Sequence, residues 1–235
     1  RLPPVAPAKM FFWDDTTLLV RNILYNRNTA GNWLPVDTLP GYGFADATPR
    51  NASEMWLVSR NNDYLAKFNR VTGQYDTINP NIRLSQIANA NGALAGILGD
   101  SLLVRSADNG VTWQTVCDPM TYLTNATGSR LKLTDIAVLS DGQTLFATAG
   151  IYDKSLGSDV GVAWLAANPD TKIHGLVFKS TNGGASWQIN YHAADFAFTK
   201  INTYDENYLV VYCYQWMNTL PYNKVMYLYS TTRGD

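Results

Sequence analysis

The residues of this chain with the means to do chemistry are a few aspartates and a set of aromatics gathered in long segments. Asp135 lies in an alternating apolar run, and Asp46 lies in a loop leading to another such run. Two aspartates facing a common channel are what glycoside hydrolysis requires, one to protonate the leaving group and one to act as base or nucleophile. The aromatics fall elsewhere. Segment 151–174 carries Tyr152, Asp153, Asp159 and Trp164, and segment 215–223 carries Gln215, Trp216 and Tyr222, with Tyr214 beside it. A third long segment, 117–132, holds Tyr122. Flat rings offer rigid apolar walls on which a sugar stacks. Asp153, Asp159 and Gln215 would supply the hydrogen-bonding groups that orient it. The competing reading is that these rings only pack their own loops.

Composition removes several other chemistries. Of 235 residues, 16% are charged and the net charge is −1 with no basic run, so nucleic acid is not an expected partner. No apolar stretch reaches the 18 or so residues that span a bilayer, so membrane insertion is not expected. Cys117 and Cys213 are too few for a disulfide framework, and with His174 and His192 they form no metal-binding spacing. They read as two buried small apolar residues, unbonded to each other. No cofactor and no metal is expected. Glu occurs twice, as Glu54 and Glu206, while Asn, Thr, Tyr and Trp are abundant. That balance favours strands over helices.

What must position the candidate residues is written in a repeat. Ser106-Ala107-Asp108-Asn109-Gly110-Val111-Thr112-Trp113 and Ser180-Thr181-Asn182-Gly183-Gly184-Ala185-Ser186-Trp187 share one pattern, and Gln follows each Trp. An alternating apolar run precedes each. The Asp or Asn side chain is suited to cap backbone N–H groups across a tight turn. The Gly takes a positive φ, and the Trp tucks beneath the hairpin. Asp108 and Asn182 therefore read as structural clips, with Ser106, Gly110, Ser180 and Gly184 shaping the turns. Weaker copies run from Asn26 through Asn28 to Trp33, from Asn69 to Tyr75, and from Ser230 onward. The closing aromatics stand at 33, 75, 113 and 187, spaced 42, 38 and 74 apart. The last interval reads as one unit plus an insertion.

This pattern resembles the Asp-box, or BNR, repeat of sialidases, family 74 xyloglucanases, Vps10-type receptors and many non-catalytic proteins. The resemblance implies an all-β propeller of four-stranded antiparallel blades, and a blade takes about 40 residues. Blades are expected at approximately 10–37, 42–79, 82–118, 131–192 and 196–235, the fifth with three strands. Residues 1–235 then read as a single domain whose partners include other parts of a longer chain. Arg1-Leu2-Pro3 also resembles the Arg-Ile-Pro motif that opens sialidase domains, which would make Arg1 a carboxylate-binding residue.

In such a fold the short turns share one face and the long second-to-third connections share the other. Long loops on a rigid scaffold usually carry function. The expectation is a recognition domain, extracellular or on a cell or virion surface, that binds a glycan or a surface protein through Tyr152, Trp164, Tyr214, Trp216 and Tyr222. The alternatives are a glycoside hydrolase and a purely structural scaffold.

Overall fold

The computed structural model describes residues 9–41, 43–61, 63–90, 92–122, 130–153, 158–159, 175–193, 196–203, 208–215 and 224–230. These residues form five antiparallel sheets that follow one another along the chain. The first is β1 (Met10–Asp14), β2 (Thr17–Val20), β3 (Ile23–Arg27) and β4 (Trp33–Thr38). The second is β5 (Phe44–Pro49), β6 (Glu54–Ser59), β7 (Leu65–Asn69) and β8 (Gln74–Asn79). The third is β9 (Leu84–Ala90), β10 (Ala93–Leu98), β11 (Leu102–Ser106) and β12 (Gln114–Cys117), followed by a 3-10 turn at Pro119–Tyr122. The fourth is β13 (Arg130–Val138), β14 (Leu145–Asp153), β16 (Gly175–Ser180) and β17 (Gln188–Ala193), with the short β15 (Ser158–Asp159) added to the end of β14. The fifth is β18 (Phe196–Thr203), β19 (Leu209–Gln215) and β20 (Lys224–Ser230). In every sheet the strands lie in sequence order, so each sheet is one blade of a β-propeller.

Position in the blade explains the sequence of each strand. Second strands are sandwiched between neighbouring blades, so both faces are buried and the sequence is an unbroken apolar run. Met55, Trp56, Leu57 and Val58 in β6 are all buried, as are Leu94, Ala95 and Ile97 in β10. Strand β2 is buried along its whole length. Outer strands carry little of this load, and five of the six residues of β4 are exposed. Four apolar seams fill the spaces between successive blades. Phe11, Leu19, Met55 and Phe68 join the first pair, and Trp56, Leu65, Leu84 and Leu94 the second. Ile97, Leu103, Leu145 and Phe178 join the third pair, and Phe146, Phe198, Ile201 and Val211 the fourth.

Neither cysteine is in a disulfide, and both are buried in these seams, Cys117 at the end of an outer strand and Cys213 in a second strand. One detail departs from expectation. Asp46 is not in a loop leading to an inner strand but within the inner strand β5 itself. Ala45, Ala47, Thr48 and Pro49 surround it, and pairing with β6 makes this run of small residues a strand.

Candidate functional site

The inner strands share a local device. In the second to fifth blades the inner strand carries a register shift, at Phe44/Asp46 in β5, Leu133/Asp135 in β13 and Phe198/Lys200 in β18. In the third blade Leu98 pairs with Leu84 and Ile97 with Gln86, which skips Ser85. The residues involved are Phe44-Ala45-Asp46, Leu84-Ser85-Gln86, Leu133-Thr134-Asp135 and Phe198-Thr199-Lys200. Each is an apolar residue, a small one at the bulge, then a polar one. A bulge bends its strand and re-aims the next side chain. Asp46, Asp135 and Lys200 are thereby presented at the channel.

The two aspartates use that position alike. Asp46 Oδ2 accepts the backbone N–H of Ile87 in the next blade at 2.8 Å. Asp135 Oδ2 accepts that of Ile201, again in the next blade, at 3.1 Å. In each case the donor is the residue that follows the neighbour's own bulge triplet. Both carboxylates line a channel cavity of about 650 Å³, together with Phe12, Thr48, Lys200 and Asn202. Burial pushes the Asp46 carboxyl up to about 7. Lys9 and the Ile87 N–H oppose that push, and the negative charge of Asp135 adds to it. Burial also raises Asp135, against the Ile201 N–H and Lys200. A carboxyl that titrates near neutrality can donate a proton or accept one. The cavity is lined by the later halves of β5, β13 and β18, so it lies toward the end of the channel where inner strands turn into second strands.

At that end the turns are bonded to one another. Arg70, in the β7–β8 turn, donates to Asp14 at 2.7 Å and to Thr17 at 2.8 Å in the first blade, and its guanidinium stacks over Trp13. Burial pushes Asp14 up, but hydrogen bonds from Thr16 and Arg70 outweigh it and hold the carboxyl well below its usual range. Trp13 Nε1 donates to the Asn51 carbonyl of the second blade. Arg50 reaches Asn109 in the third blade, and Arg105 Nε donates to the Gly183 carbonyl in the fourth. Glu54, at a strand start, pairs with Arg50 and Lys67.

The two matching turns are built alike. Ser106 Oγ accepts the Gly110 N–H and donates to Asp108, whose other bonds come from the Thr112 N–H and hydroxyl. Those bonds, from Thr112 first and then Ser106, lower the Asp108 carboxyl to about 2. Asn182 likewise accepts the Ser186 N–H and donates to its hydroxyl, while Ser180 Oγ accepts the Gly184 N–H. Trp113 and Trp187 donate their indole N–H to the Gly110 and Gly184 carbonyls. Trp187 is 9% exposed, whereas Trp113 is only half-buried. In the first blade Asn28 accepts the Asn32 N–H in a similar turn, and Trp33 is half-buried.

The loop aromatics are placed in part. Tyr152 and Asp153 end β14, where Tyr152 pairs with Asp159 of β15. Tyr214 and Gln215 end β19, opposite Ala197 and Phe196. Both strand ends lie at the end of the propeller opposite the bonded turns. Trp164, Trp216, Tyr222 and Arg1 lie outside the described residues. An apolar–small–polar triplet within the inner strands of the second to fifth blades is a usable sequence signal for these bulges. Among the described residues no group of three or more His, Cys, Asp or Glu side chains converges as a metal site would require. Among the described residues no helix is long and apolar enough to cross a membrane.

No protein-family model and no curated protein matches this sequence. Solved structures do. YCF48 bound to D1 peptide is 14% identical, with a TM-score of 0.56 over 90% of this chain and 63% of its own. The extracellular domain of the one-component system BT4673 of B. thetaiotaomicron is 11% identical, with a TM-score of 0.57 over 93% of this chain and 27% of its own. The GH74 enzyme of Niastella koreensis is 15% identical, with a TM-score of 0.54 over 93% of this chain and 35% of its own. This chain spans less than two thirds of the length of each. At such identities the likeness is one of fold alone, and what this chain shares with all three is the β-propeller.

Proposed function

We propose that this propeller is a recognition domain, working outside the cell or on a cell or virion surface, that binds a glycan or a polypeptide through the face bearing its long second-to-third connections. The observation that carries this reading is the unequal use of the two faces. One end is spent on bonds between turns, with Arg70, Arg50, Arg105 and the carboxylate of Asp14 all satisfied there. The connections after β14 and β19, which run from 154 to 174 and from 216 to 223, leave from the other end with most of the loop aromatics. We read the turns at 106–113 and 180–187 as Asp boxes and hence as scaffold. One neighbour in fold is a peptide complex and another is an extracellular domain, which is consistent with ligand binding at a propeller surface. The test is a glycan-array and peptide-array screen of the wild type beside Trp164→Ala and Trp216→Ala, with melting curves run in parallel. Loss of binding at unchanged melting temperature supports the reading. Equal binding by all three proteins refutes the site, and no binding by the wild type points to a scaffold.

A second reading is favoured by one observation, the Asp46 carboxyl held near 7 in a cavity that also holds Asp135. A glycoside hydrolase needs such a protonated acid opposite a carboxylate. Each aspartate, however, already bonds a backbone N–H of the next blade, which is a structural duty. Turnover of xyloglucan or sialoside substrates that is abolished in both Asp46→Asn and Asp135→Asn would establish this reading in place of the first.

A further inference from the structure

The two ends of the propeller treat their arginines differently. At the end where inner strands turn into second strands, Arg50, Arg70 and Arg105 each donate to a neighbouring blade. At the opposite end stand Arg21 in the β2–β3 turn, Arg60 at the start of the β6–β7 turn and Arg83 just before β9. All three are exposed, and among the described residues none of their guanidinium groups makes a hydrogen bond or an ion pair. The backbone gathers them. The Arg60 N–H donates to the Gly43 carbonyl at 3.1 Å, and a Cβ on Gly43 would lie 3.4 Å from the Arg21 Cα. Arg21 and Arg60, from the first and second blades, thus flank one glycine. Arg83 stands between Ile82 and Leu84, which are buried in one cluster with Val58 and Leu65 from the two strands that the β6–β7 turn joins. Arg21 holds a φ of 58°, a left-handed conformation that Gly and Asn adopt at less cost. The carboxylates in the neighbouring turns are already committed. Asp63 accepts the Ser59 hydroxyl at 2.7 Å, and Asp100 pairs with Lys132 at 3.2 Å.

We infer that Arg21, Arg60 and Arg83 form a binding site for an anionic glycan, a chain whose successive sugars carry carboxylate or sulfate groups. The inference rests on the reading of this face as the recognition face and names the class of its ligand. A guanidinium presents its donors in a planar fork that fits carboxylate or sulfate oxygens two bonds at a time. Three such forks on three consecutive blades suit a polymer that repeats its charge. Strand ends rather than strand edges reach this face, so it offers no backbone ladder for a peptide to join. The whole chain carries a net charge of −1, so the attraction of a polyanion is local to this patch and not a property of the protein at large.

The probe is a short heparin oligosaccharide titrated calorimetrically onto the chain, with an uncharged oligosaccharide of similar length and polyglutamate as comparisons. One variant combines Arg21→Asn, which suits the left-handed turn, with Arg60→Gln and Arg83→Gln. Arg60→Gln alone is set beside Arg27→Gln, which removes an exposed charge from the opposite end. The wild type should bind heparin saturably. The triple variant should bind about tenfold more weakly, the product of modest losses at three exposed ion pairs, and with a shallower dependence on salt. Arg27→Gln should bind as the wild type does. Melting temperatures should not change, because the three side chains are unbonded. No heparin binding by the wild type, equal affinity in the triple variant, or the same loss in Arg27→Gln as in Arg60→Gln each overturns the inference. Polyglutamate bound as tightly as heparin overturns it in favour of an acidic polypeptide. Trp164→Ala and Trp216→Ala keep it distinct from the reading on which it rests. If they weaken binding of an uncharged ligand while the arginine variants change nothing, the face stands and the anionic preference falls. If no variant of either set alters any binding, the face falls with it.

Discussion

Asp46 and Ile87 are joined across the seam of two blades by a single bond, carboxylate oxygen to backbone N–H, at 2.8 Å. The bond ties adjacent inner strands together beside the channel, and the same carboxyl is one whose proton is held up to about 7. Structure and titration therefore meet in one group. A carboxyl raised above its unfolded value of about 3.8 keeps its proton in the folded chain when the unfolded chain has lost it. Its stabilising contribution is complete below the unfolded value and is lost as pH rises through about 7. The melting temperature should accordingly fall between pH 5 and pH 8. In Asp46→Asn, which keeps an oxygen acceptor for Ile87, the fall should be smaller. Lys200 and Asp135, which share the cavity, and Lys9, whose charge acts on Asp46, remain in both proteins, so thermal melts across that window isolate Asp46. Parallel curves would contradict the assignment.

The clip aspartate of the third blade should behave in the opposite sense. Asp108 is lowered to about 2 by hydrogen bonds from Thr112 and Ser106. What it adds to stability is present above the unfolded value and lost as pH falls toward 2. Because Asn182 makes the equivalent bonds without a charge, Asp108→Asn should fold normally and lose stability less steeply between pH 4 and pH 2. Acid titration followed by near-ultraviolet circular dichroism measures this.

Trp187→Ala should destabilise the chain by about 3–5 kcal/mol, the range for large aromatics deleted from a core. The ring is buried against Ala95 and Phe178 in the third seam, and its N–H is satisfied by Gly184. Trp113→Ala should cost less, because Trp113 is only half-buried. Urea denaturation of both variants gives the order. A larger loss at Trp113 would show that exposure does not rank these sites.

Gly110 should be far less replaceable than Gly73. Both have positive φ, but a Cβ at Gly110 would lie 2.5 Å from Leu65 Cδ2 in the preceding blade, while nothing lies within 4 Å of one at Gly73. Gly73→Ala then costs only the left-handed backbone penalty, about 1 kcal/mol. Gly110→Ala adds overpacking worth about 1–3 kcal/mol more. Equal unfolding midpoints for the two would mean that the seam yields freely.

Both thiols should be silent in the folded chain. Cys117 and Cys213 are buried and not joined in a disulfide, and burial raises the Cys213 thiol further from its reactive form. A thiol reagent such as DTNB should label neither residue in buffer and both in denaturant. Rapid labelling in buffer would show that a seam opens.

The strands and the repeat were legible because they depend on local order. An eight-residue turn such as 106–113 is specified by neighbours in sequence, and its Ser, Asp, Gly and Trp find their partners within it. Second strands such as β6 announce themselves as unbroken apolar runs because both of their faces are buried. The all-β class, the strand succession and the tight-turn residues follow from sequence alone for that reason. The cavity did not follow. Asp46, Asp135 and Lys200 lie scores of residues apart, and what groups them is a bulge repeated in successive inner strands around one axis. Their proton affinities are set by burial among residues from several blades, which no local pattern encodes.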